Sequence, residues 1–141
     1  SMDDIVVGVD PSETARRTAV KAAKWAAAVG ANLHLVTCVD RAAPLKLSVG
    51  GETFSSDAIA EARVFLDTVA LELPYERISS SASYGDPAEM LCAEAERLGA
   101  QTVVVGNRRV KGAKRVLGSV AIAVTRNAPC DVLIVDSTGG G

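Results

Sequence analysis

The segment DIVVGVDPSETARRTAVKAAKWAAAVGANLHLVTCVD, residues 4–40, decides the fold of this chain. It begins with a short apolar run rich in β-branched residues, 4–10, which predicts a strand buried on both faces. The next residues, 11–30, carry small apolar side chains at helical spacing and end with Gly30, a common stop for a helix. A second apolar run, 32–40, predicts another strand. A strand, a helix and a strand in this order predict two parallel strands joined by a crossover helix.

The same alternation of elements continues to the end of the sequence. It predicts an α/β fold with a single doubly wound, five-stranded parallel sheet sandwiched by helices, in the Rossmann-like manner. Residues 41–55 show neither helical nor strand periodicity and predict the long loop of the domain. The remaining predicted elements are helices at 56–73, 86–99 and 119–127 and strands at 77–85, 101–106 and 130–136.

The composition is that of one domain, because 48% of the 141 residues are hydrophobic. We assign the domain to residues 3–137, with 1–2 as an expression scar and 138–141 as a flexible, glycine-rich tail. The net charge of −2 does not favour binding to nucleic acid or to an anionic membrane. No apolar run approaches the roughly 20 residues that span a bilayer. Without a signal peptide, the expected compartment is the cytoplasm.

The cysteines and the histidine do not form a recognised metal or disulfide pattern. Cys38, Cys92 and Cys130 are odd in number and far apart, and His34 is the only histidine. Reduced thiols are therefore expected, and no metal site is predicted. His34 falls inside a predicted strand, where a structural role is favoured over a catalytic one.

Two Asp-Pro pairs precede predicted helices. Asp86, followed by Pro87 and then by Glu89, fits an N-cap with proline at the first helical position. Asp10 opens the first helix in the same arrangement. Its carboxylate, at the end of a strand, is also well placed to accept hydrogen bonds from a ligand's hydroxyl groups. The two roles compete, because Ser12 offers an alternative N-cap.

The stretch GNRRVKGAKRVLGSV, residues 106–120, follows a predicted strand at the edge of the sheet where doubly wound proteins bind ligands. It combines three glycines with five basic residues. Gly118, with Ser119 as the predicted N-cap, precedes a helix whose N-terminus attracts anions. The stretch predicts a phosphate site; the alternative is a glycine turn in a solvated basic connector. It is neither a P-loop nor a dinucleotide fingerprint, and an aromatic content of 4% provides no stacking platform for nucleic acid.

Four stretches in order, VGVDPSETA, VVVGN, KGAKRVLGSV and NAPCDVLIV, resemble the universal stress protein family over nearly the whole chain. The resemblance implies the adenine nucleotide alpha hydrolase-like form of the same fold. Nucleotide-binding members carry Gly-x-x-Gly, eight or nine residues, and then Gly-Ser or Gly-Thr. By this resemblance, Asp10 would contact the ribose and the backbone around Cys38 would frame the adenine. The implied phosphate contacts are Gly106, Gly118, Ser119 and Val120.

Arg109 stands where the family pattern has its second glycine. One interpretation is that its side chain crowds the phosphate channel, or forces the loop away if the backbone there needs a positive φ. The other is that the guanidinium contacts the phosphates and replaces close backbone approach with charge. The sequence leaves both interpretations open.

The resemblance implies a stress-response protein that binds an adenine nucleotide and acts as a sensor or regulator. ATP is expected first, with AMP or cyclic AMP as alternatives and Mg²⁺ accompanying the nucleotide. The alternative function is a non-binding member that works through dimerisation and protein contacts, with Arg109 blocking the phosphate site. Dedicated catalysis is not predicted, because the loop offers no carboxylate; slow ATP hydrolysis is the most we expect.

The last predicted strand indicates how the chain associates. The run DVLIV, residues 131–135, is almost uncharged, and an exposed edge of that kind pairs readily with another chain. A homodimer through 131–135 is therefore expected, and the resemblance implies the same interface. Regulatory protein partners are expected but not identified by the sequence, and neither nucleic acid nor a membrane is an expected partner.

Overall fold

The computed structural model describes residues 3–40, 46–55, 57–110 and 114–138, without the side chains of 46–49, 52–55, 108–110 and 114–115. The elements in chain order are β1 (Asp4–Gly8), α1 (Glu13–Val29), β2 (Asn32–Val39), β3 (Lys46–Val49), β4 (Glu52–Ser55), α2 (Ala58–Glu72), β5 (Ile78–Tyr84), α3 (Pro87–Leu98), β6 (Thr102–Gly106), β7 (Arg108–Val110), β8 (Lys114–Val116), α4 (Ser119–Asn127) and β9 (Asp131–Val135).

The main sheet has five strands in the order β5-β2-β1-β6-β9, and all of its pairs are parallel. The predicted doubly wound α/β fold is therefore confirmed. The chain runs outward from β1 to β2 and β5 on one side, and from β6 to β9 on the other. The strand order thus reverses between β1 and β6, the place where such sheets open a crevice for ligands.

Helices cover both faces of the sheet, which is why its central strands are apolar throughout. On one face, α1 and α2 belong to a core with β1 and β2 that includes Ala22, Leu66 and Leu33. On the other, α3 and α4 belong to a core with β1 and β6 that includes Leu91 and Val103. The buried face of α1 is built from alanines, whose small side chains let the helix approach the sheet closely.

Two antiparallel hairpins lie in segments for which no strands were predicted. Residues 41–55 were predicted to be a loop, yet β3 and β4 form an antiparallel pair, and 41–45 lie outside the described residues. Gly50 and Gly51 join these strands with φ of +61° and +81°, the left-handed values that a tight two-residue hairpin turn requires. Apolar alternation is weak in these short strands, so periodicity did not indicate them. A second hairpin, β7–β8, occupies part of the stretch 106–120.

Among the helices that the structure describes, none has the length and apolar character needed to cross a membrane. Within the same residues, no group of three or more histidine, cysteine, aspartate or glutamate side chains is arranged to hold a metal ion.

Candidate functional site

A cavity of about 1010 Å³ opens at the carboxyl ends of β1, β2 and β6, where the strand order reverses. The first turns of α1, α3 and α4 and the segment after β9 complete its wall. Of the predicted site residues whose side chains the structure describes, all line this cavity: Asp10, Cys38, Gly106, Gly118, Ser119 and Val120. The topology thus brings together these residues from four parts of the sequence.

The start of α1 corrects one prediction, because Ser12 and not Asp10 is its N-cap. The Ser12 hydroxyl accepts a hydrogen bond from the Ala15 N–H at 3.1 Å. Asp10 lies before the cap and accepts from the Ser12 N–H at 2.7 Å. At α3, by contrast, Asp86 caps the helix as predicted, with Pro87 following it directly. The difference is the residue after proline: a serine can cap a helix, whereas the alanine after Pro87 cannot.

Asp10 therefore stands at the rim of the cavity with an exposed carboxylate. Among the described residues, its one side-chain hydrogen bond joins Oδ1 to the Ser12 N–H. Since an ionised carboxylate has about four lone-pair sites, this group retains capacity to accept hydroxyl groups from a ligand.

Gly106 is required by packing. A Cβ atom at this position would come within 2.8 Å of Ser137 Oγ and still closer to Thr18 Oγ1. The Thr18 hydroxyl donates to the Thr14 carbonyl at 2.9 Å, so it is held in place by its own helix. Gly106 therefore lets α1 and the segment after β9 close against the end of β6, whether or not a ligand is bound.

Hydrogen bonds between Asn107 and Ser137 fix the position of the segment that follows β9. Both are buried, and the Ser137 N–H donates to Asn107 Oδ1 at 3.2 Å while the Ser137 hydroxyl donates to the Asn107 carbonyl. The Asn107 N–H in turn donates to the Val135 carbonyl at 3.0 Å. Sequence reasoning missed Ser137 and Thr18, and it considered Asn107 only as a residue of the loop. For Asn107 and Ser137, the signal in the sequence was a polar residue shortly after an apolar strand.

Gly118 differs from Gly106, because none of the residues that the structure describes requires a glycine there. Its φ of −71° and ψ of 172° suit any residue, and a Cβ would meet no described atom within 4 Å. Gly118 is the N-cap of α4 and offers no side chain to bond the helix N-terminus. The prediction of Ser119 as N-cap is wrong, since Ser119 is the first helical residue. No side chain in the described part of the chain caps the first N–H groups of α4, which carry partial positive charge.

Arg109 lies in β7, where its backbone pairs with Arg115 of β8. Its side chain lies outside the described residues. Strand residues have extended backbone dihedrals that any amino acid adopts, so position 109 does not require a glycine with positive φ. Of the effects predicted for Arg109, a forced rearrangement of the backbone is not supported.

Charged side chains on the described wall of the cavity are Asp10 and Arg17. Arg17, on α1, is about half exposed, and its Nε lies 3.6 Å from Glu13 Oε1. That pair is loose, so the guanidinium can turn toward an anion at small cost. Sequence reasoning had looked for basic residues only in the stretch 106–120 and had not considered Arg17.

Cys38 contributes backbone and a protonated thiol to the wall. Its Sγ lies 3.3 Å from Met90 Sδ. Burial raises the pKa of the Cys38 thiol, and the negative charge of Asp86 raises it further. A thiol that stays protonated is a poor nucleophile, so Cys38 serves the cavity as an apolar surface.

Comparisons with known proteins agree with the observed fold. The family model described as "Universal stress protein family" matches residues 2–136. A protein of Staphylococcus haemolyticus (strain JCSC1435) that carries the family's name is 26% identical over 137 residues, which are 94% of this chain and 83% of its own length.

Solved structures show the same likeness. A universal stress protein in complex with cAMP has a TM-score of 0.70 and 27% identity, and the match covers 96% of this chain and 98% of that one. The universal stress protein from Archaeoglobus fulgidus in complex with dAMP has a TM-score of 0.62 and 25% identity, covering 95% and 97% of the two chains. This chain therefore belongs to the universal stress protein family.

Proposed function

We propose that this protein binds an adenine nucleotide, with ATP as the first candidate, in the cavity at the carboxyl ends of β1, β2 and β6, and acts as a sensor or regulator in a stress response. The observation that carries the proposal is Gly118. Among the residues that the structure describes, neither backbone geometry nor packing calls for this glycine, and it leaves the N-terminus of α4 open to the cavity. Such a helix end favours an anion.

The size of the cavity and the ligands of two relatives support this proposal. A volume of about 1010 Å³ lies at the upper end of the usual range for small-molecule sites. Two structurally similar proteins have been solved with cAMP and with dAMP. Both ligands contain adenine, a sugar and one phosphate, so an adenine nucleotide is the class of ligand that we assign.

Within the cavity, each part of a nucleotide has a chemical counterpart. The α4 N-terminus, with Gly118, Ser119 and Val120, receives phosphate through N–H groups, and Arg17 supplies a positive charge. The Asp10 carboxylate accepts from ribose hydroxyls at the rim. Backbone and apolar side chains near Cys38 provide a surface for the adenine ring. Any Mg²⁺ would arrive with the phosphates.

The test is to release small molecules from freshly purified protein by denaturation, identify them by mass spectrometry, and titrate the emptied protein with ATP, AMP and cyclic AMP by calorimetry. Released or titratable adenine nucleotide supports the proposal. Neither release nor heat at millimolar nucleotide would refute it. The alternative would then stand, in which Arg109 blocks the phosphate site and the protein acts through protein contacts.

Arg109→Gly separates the two roles of that residue. An increase in nucleotide affinity would identify Arg109 as an obstruction, and a decrease would identify it as a phosphate contact. Unchanged affinity would mean that Arg109 points away from the site.

A homodimer through residues 131–135 is a further part of the proposal. It is supported by the position of β9 at an edge of the sheet and by Ile134, whose side chain is 42% exposed although it is large and apolar. An exposed apolar edge strand favours pairing with a second copy. Sedimentation equilibrium of the protein and of Ile134→Lys tests this, because a monomer at high concentration would exclude the interface.

A further inference from the structure

A buried histidine outside the nucleotide cavity connects an exposed serine to a carboxylate. His34, on β2, is only 3% exposed. Its Nδ1 lies 2.7 Å from the hydroxyl of Ser79 on β5, and its Nε2 lies 2.9 Å from Glu94 Oε2 on α3. None of the three residues lines the cavity described above.

The hydrogen bonds define the protonation of the ring. An ionised carboxylate can only accept, so the Nε2 nitrogen carries the proton and donates to Glu94. The Nδ1 nitrogen is then left with a lone pair, and the Ser79 hydroxyl donates to it. Ser81 adds a hydroxyl that donates to Glu94 Oε2 at 3.0 Å. A serine hydroxyl directed at a histidine lone pair, with the other ring nitrogen held by a carboxylate, is the arrangement of an activated serine.

Arg97 keeps the Glu94 side chain in its ionised form. The Arg97 Nε and Nη2 atoms donate to the two oxygens of Glu94 at 2.9 and 2.7 Å. This hydrogen bonding lowers the pKa of Glu94 to about 2, so the group is a carboxylate across the working range of pH.

The histidine is held in its neutral form. Burial lowers the pKa of His34, and this outweighs the opposing effect of its hydrogen bond to Glu94. The other charged groups acting on the ring are Arg97, on α3, which lowers its pKa, and Asp4, on β1, which raises it. A neutral imidazole can accept a proton, as a general base must.

Access favours reaction at Ser79. The residue is exposed while its partner His34 is buried, so a reagent can approach the hydroxyl from the solvent without disturbing the base. Strand β5 is also an edge of the sheet, and an edge strand presents unpaired N–H groups on its open side.

We propose that Ser79 is a nucleophilic serine that accepts an acyl group from an activated acyl donor, such as a thioester or an activated ester. The Ser79 oxygen attacks the carbonyl carbon as its proton moves to His34 Nδ1. The bond from that carbon to the leaving group breaks, the leaving group departs with its electron pair, and the proton on His34 neutralises it. The products are an acyl-serine ester at Ser79 and the free thiol or alcohol. His34 is the base, and Glu94 is a positioning residue that acts through His34.

The experiment is to treat the full chain with p-nitrophenyl acetate and measure acetylation of each serine by peptide mass spectrometry over time. Ser80 and Ser83 are internal controls, because they are exposed on the same strand without a contact to the histidine. We expect Ser79 to be acetylated about a hundredfold faster than either control, the usual contribution of a general base. Equal rates at the three serines would overturn the proposal.

Variants locate the source of the reactivity. In Glu94→Gln, which retains a hydrogen-bond acceptor, acetylation of Ser79 should slow and its dependence on pH should move to lower pH, because loss of the negative charge lowers the pKa of His34. In His34→Gln the preference for Ser79 should disappear. Glu96→Gln, on the exposed side of the same helix, should match the unmodified chain. An unchanged rate and pH profile in Glu94→Gln, with the variant folded by circular dichroism, would refute the role of the histidine–carboxylate pair.

Discussion

Ser137 donates two hydrogen bonds to Asn107 at the base of the cavity. The Ser137 N–H and hydroxyl both donate to Asn107, and the Asn107 N–H returns a bond to Val135, two residues before Ser137. One side chain and one backbone carbonyl of Asn107 thus hold the segment that follows the last strand. Because both residues are buried, these bonds are protected from competition with water.

We expect Asn107→Ala to destabilise the fold by about 1 to 3 kcal/mol, because the buried Ser137 N–H would lose its partner. Urea denaturation measures this change. Asn127→Ala is the matched control, since the Asn127 side chain donates to the Ala123 carbonyl on an exposed surface. The control should stay within about 0.5 kcal/mol of the unmodified chain. Equal effects at both positions would contradict a special role for Asn107.

The two glycines of the site should respond differently to alanine. Gly106→Ala forces a Cβ against Thr18 and Ser137, and we expect a loss of about 1 to 3 kcal/mol in the free energy of unfolding. Gly118→Ala places its Cβ where no described atom lies within 4 Å and should cost about 0.5 kcal/mol, because alanine is a poorer N-cap than glycine. Thermal melts of the two variants, side by side, check the difference. A stable Gly106→Ala variant would mean that the segment after β9 can move aside.

Gly118→Val should weaken nucleotide binding by more than about tenfold, which corresponds to 1.4 kcal/mol, because the side chain would occupy the space before the α4 N-terminus. Calorimetric titration with ATP measures the loss. Ala60→Val adds bulk of the same kind to the first turn of α2, which does not line the cavity, and should leave the affinity unchanged. Undiminished affinity in a folded Gly118→Val protein would rule out the proposed phosphate position.

Arg17→Ala should weaken the binding of ATP about tenfold while leaving the binding of adenosine unchanged, because the guanidinium is proposed to contact phosphate. Titrations with the two ligands separate these effects. Arg16→Ala is the neighbouring control: Arg16 pairs with Glu72 at 2.7 Å and does not line the cavity. A parallel loss for ATP and adenosine would assign Arg17 a role in shaping the cavity and not in binding phosphate.

The stability of the protein should fall on acidification in a way that depends on Glu94. Its pKa is lowered from 4.5 to about 2, chiefly by the hydrogen bonds from Arg97. Because the pKa of Glu94 is lower in the folded protein than in the unfolded chain, its carboxylate stabilises the fold at pH values above the unfolded pKa of 4.5. This contribution is lost as the pH falls from about 4.5 to about 2. We expect it to amount to about 1 to 2 kcal/mol, a range that allows for the exposure of Arg97 to solvent. Urea denaturation at pH 6 and at about pH 3 should show a smaller difference in Glu94→Gln than in Glu96→Gln.

The spacing of apolar residues was sufficient to predict the main sheet and the four helices. Strands of the sheet are covered on both faces and each helix buries one face, so burial sets the spacing of apolar residues in each. Capping at α1 was not predictable in the same way. Asp10 and Ser12 are both good caps, and only the three-dimensional start of the helix decides between them. The hairpin β3–β4 was missed because its strands are too short and too polar for alternation to stand out.

The cavity was predicted from topology, yet the reason for Gly106 was not. Thr18 and Ser137, which exclude a side chain at that position, come from opposite ends of the domain. No local pattern in the sequence connects them to Gly106. Packing explains the glycine at 106, whereas the glycine at 118 is explained by the proposed ligand. Only the distances from a Cβ at each position to its neighbours distinguish these two reasons.

Because Ser137 follows the last strand of the sheet, the base of the cavity is completed only after β9 has been synthesised. A chain still emerging from the ribosome with β6 but without β9 would lack the partners of Asn107. We therefore expect nucleotide to associate with the finished domain and not with its nascent form. Ribosome-bound chains halted before β9 and after Thr138, compared for retention of a fluorescent ATP analogue, would show at which point in translation the proposed nucleotide binding begins.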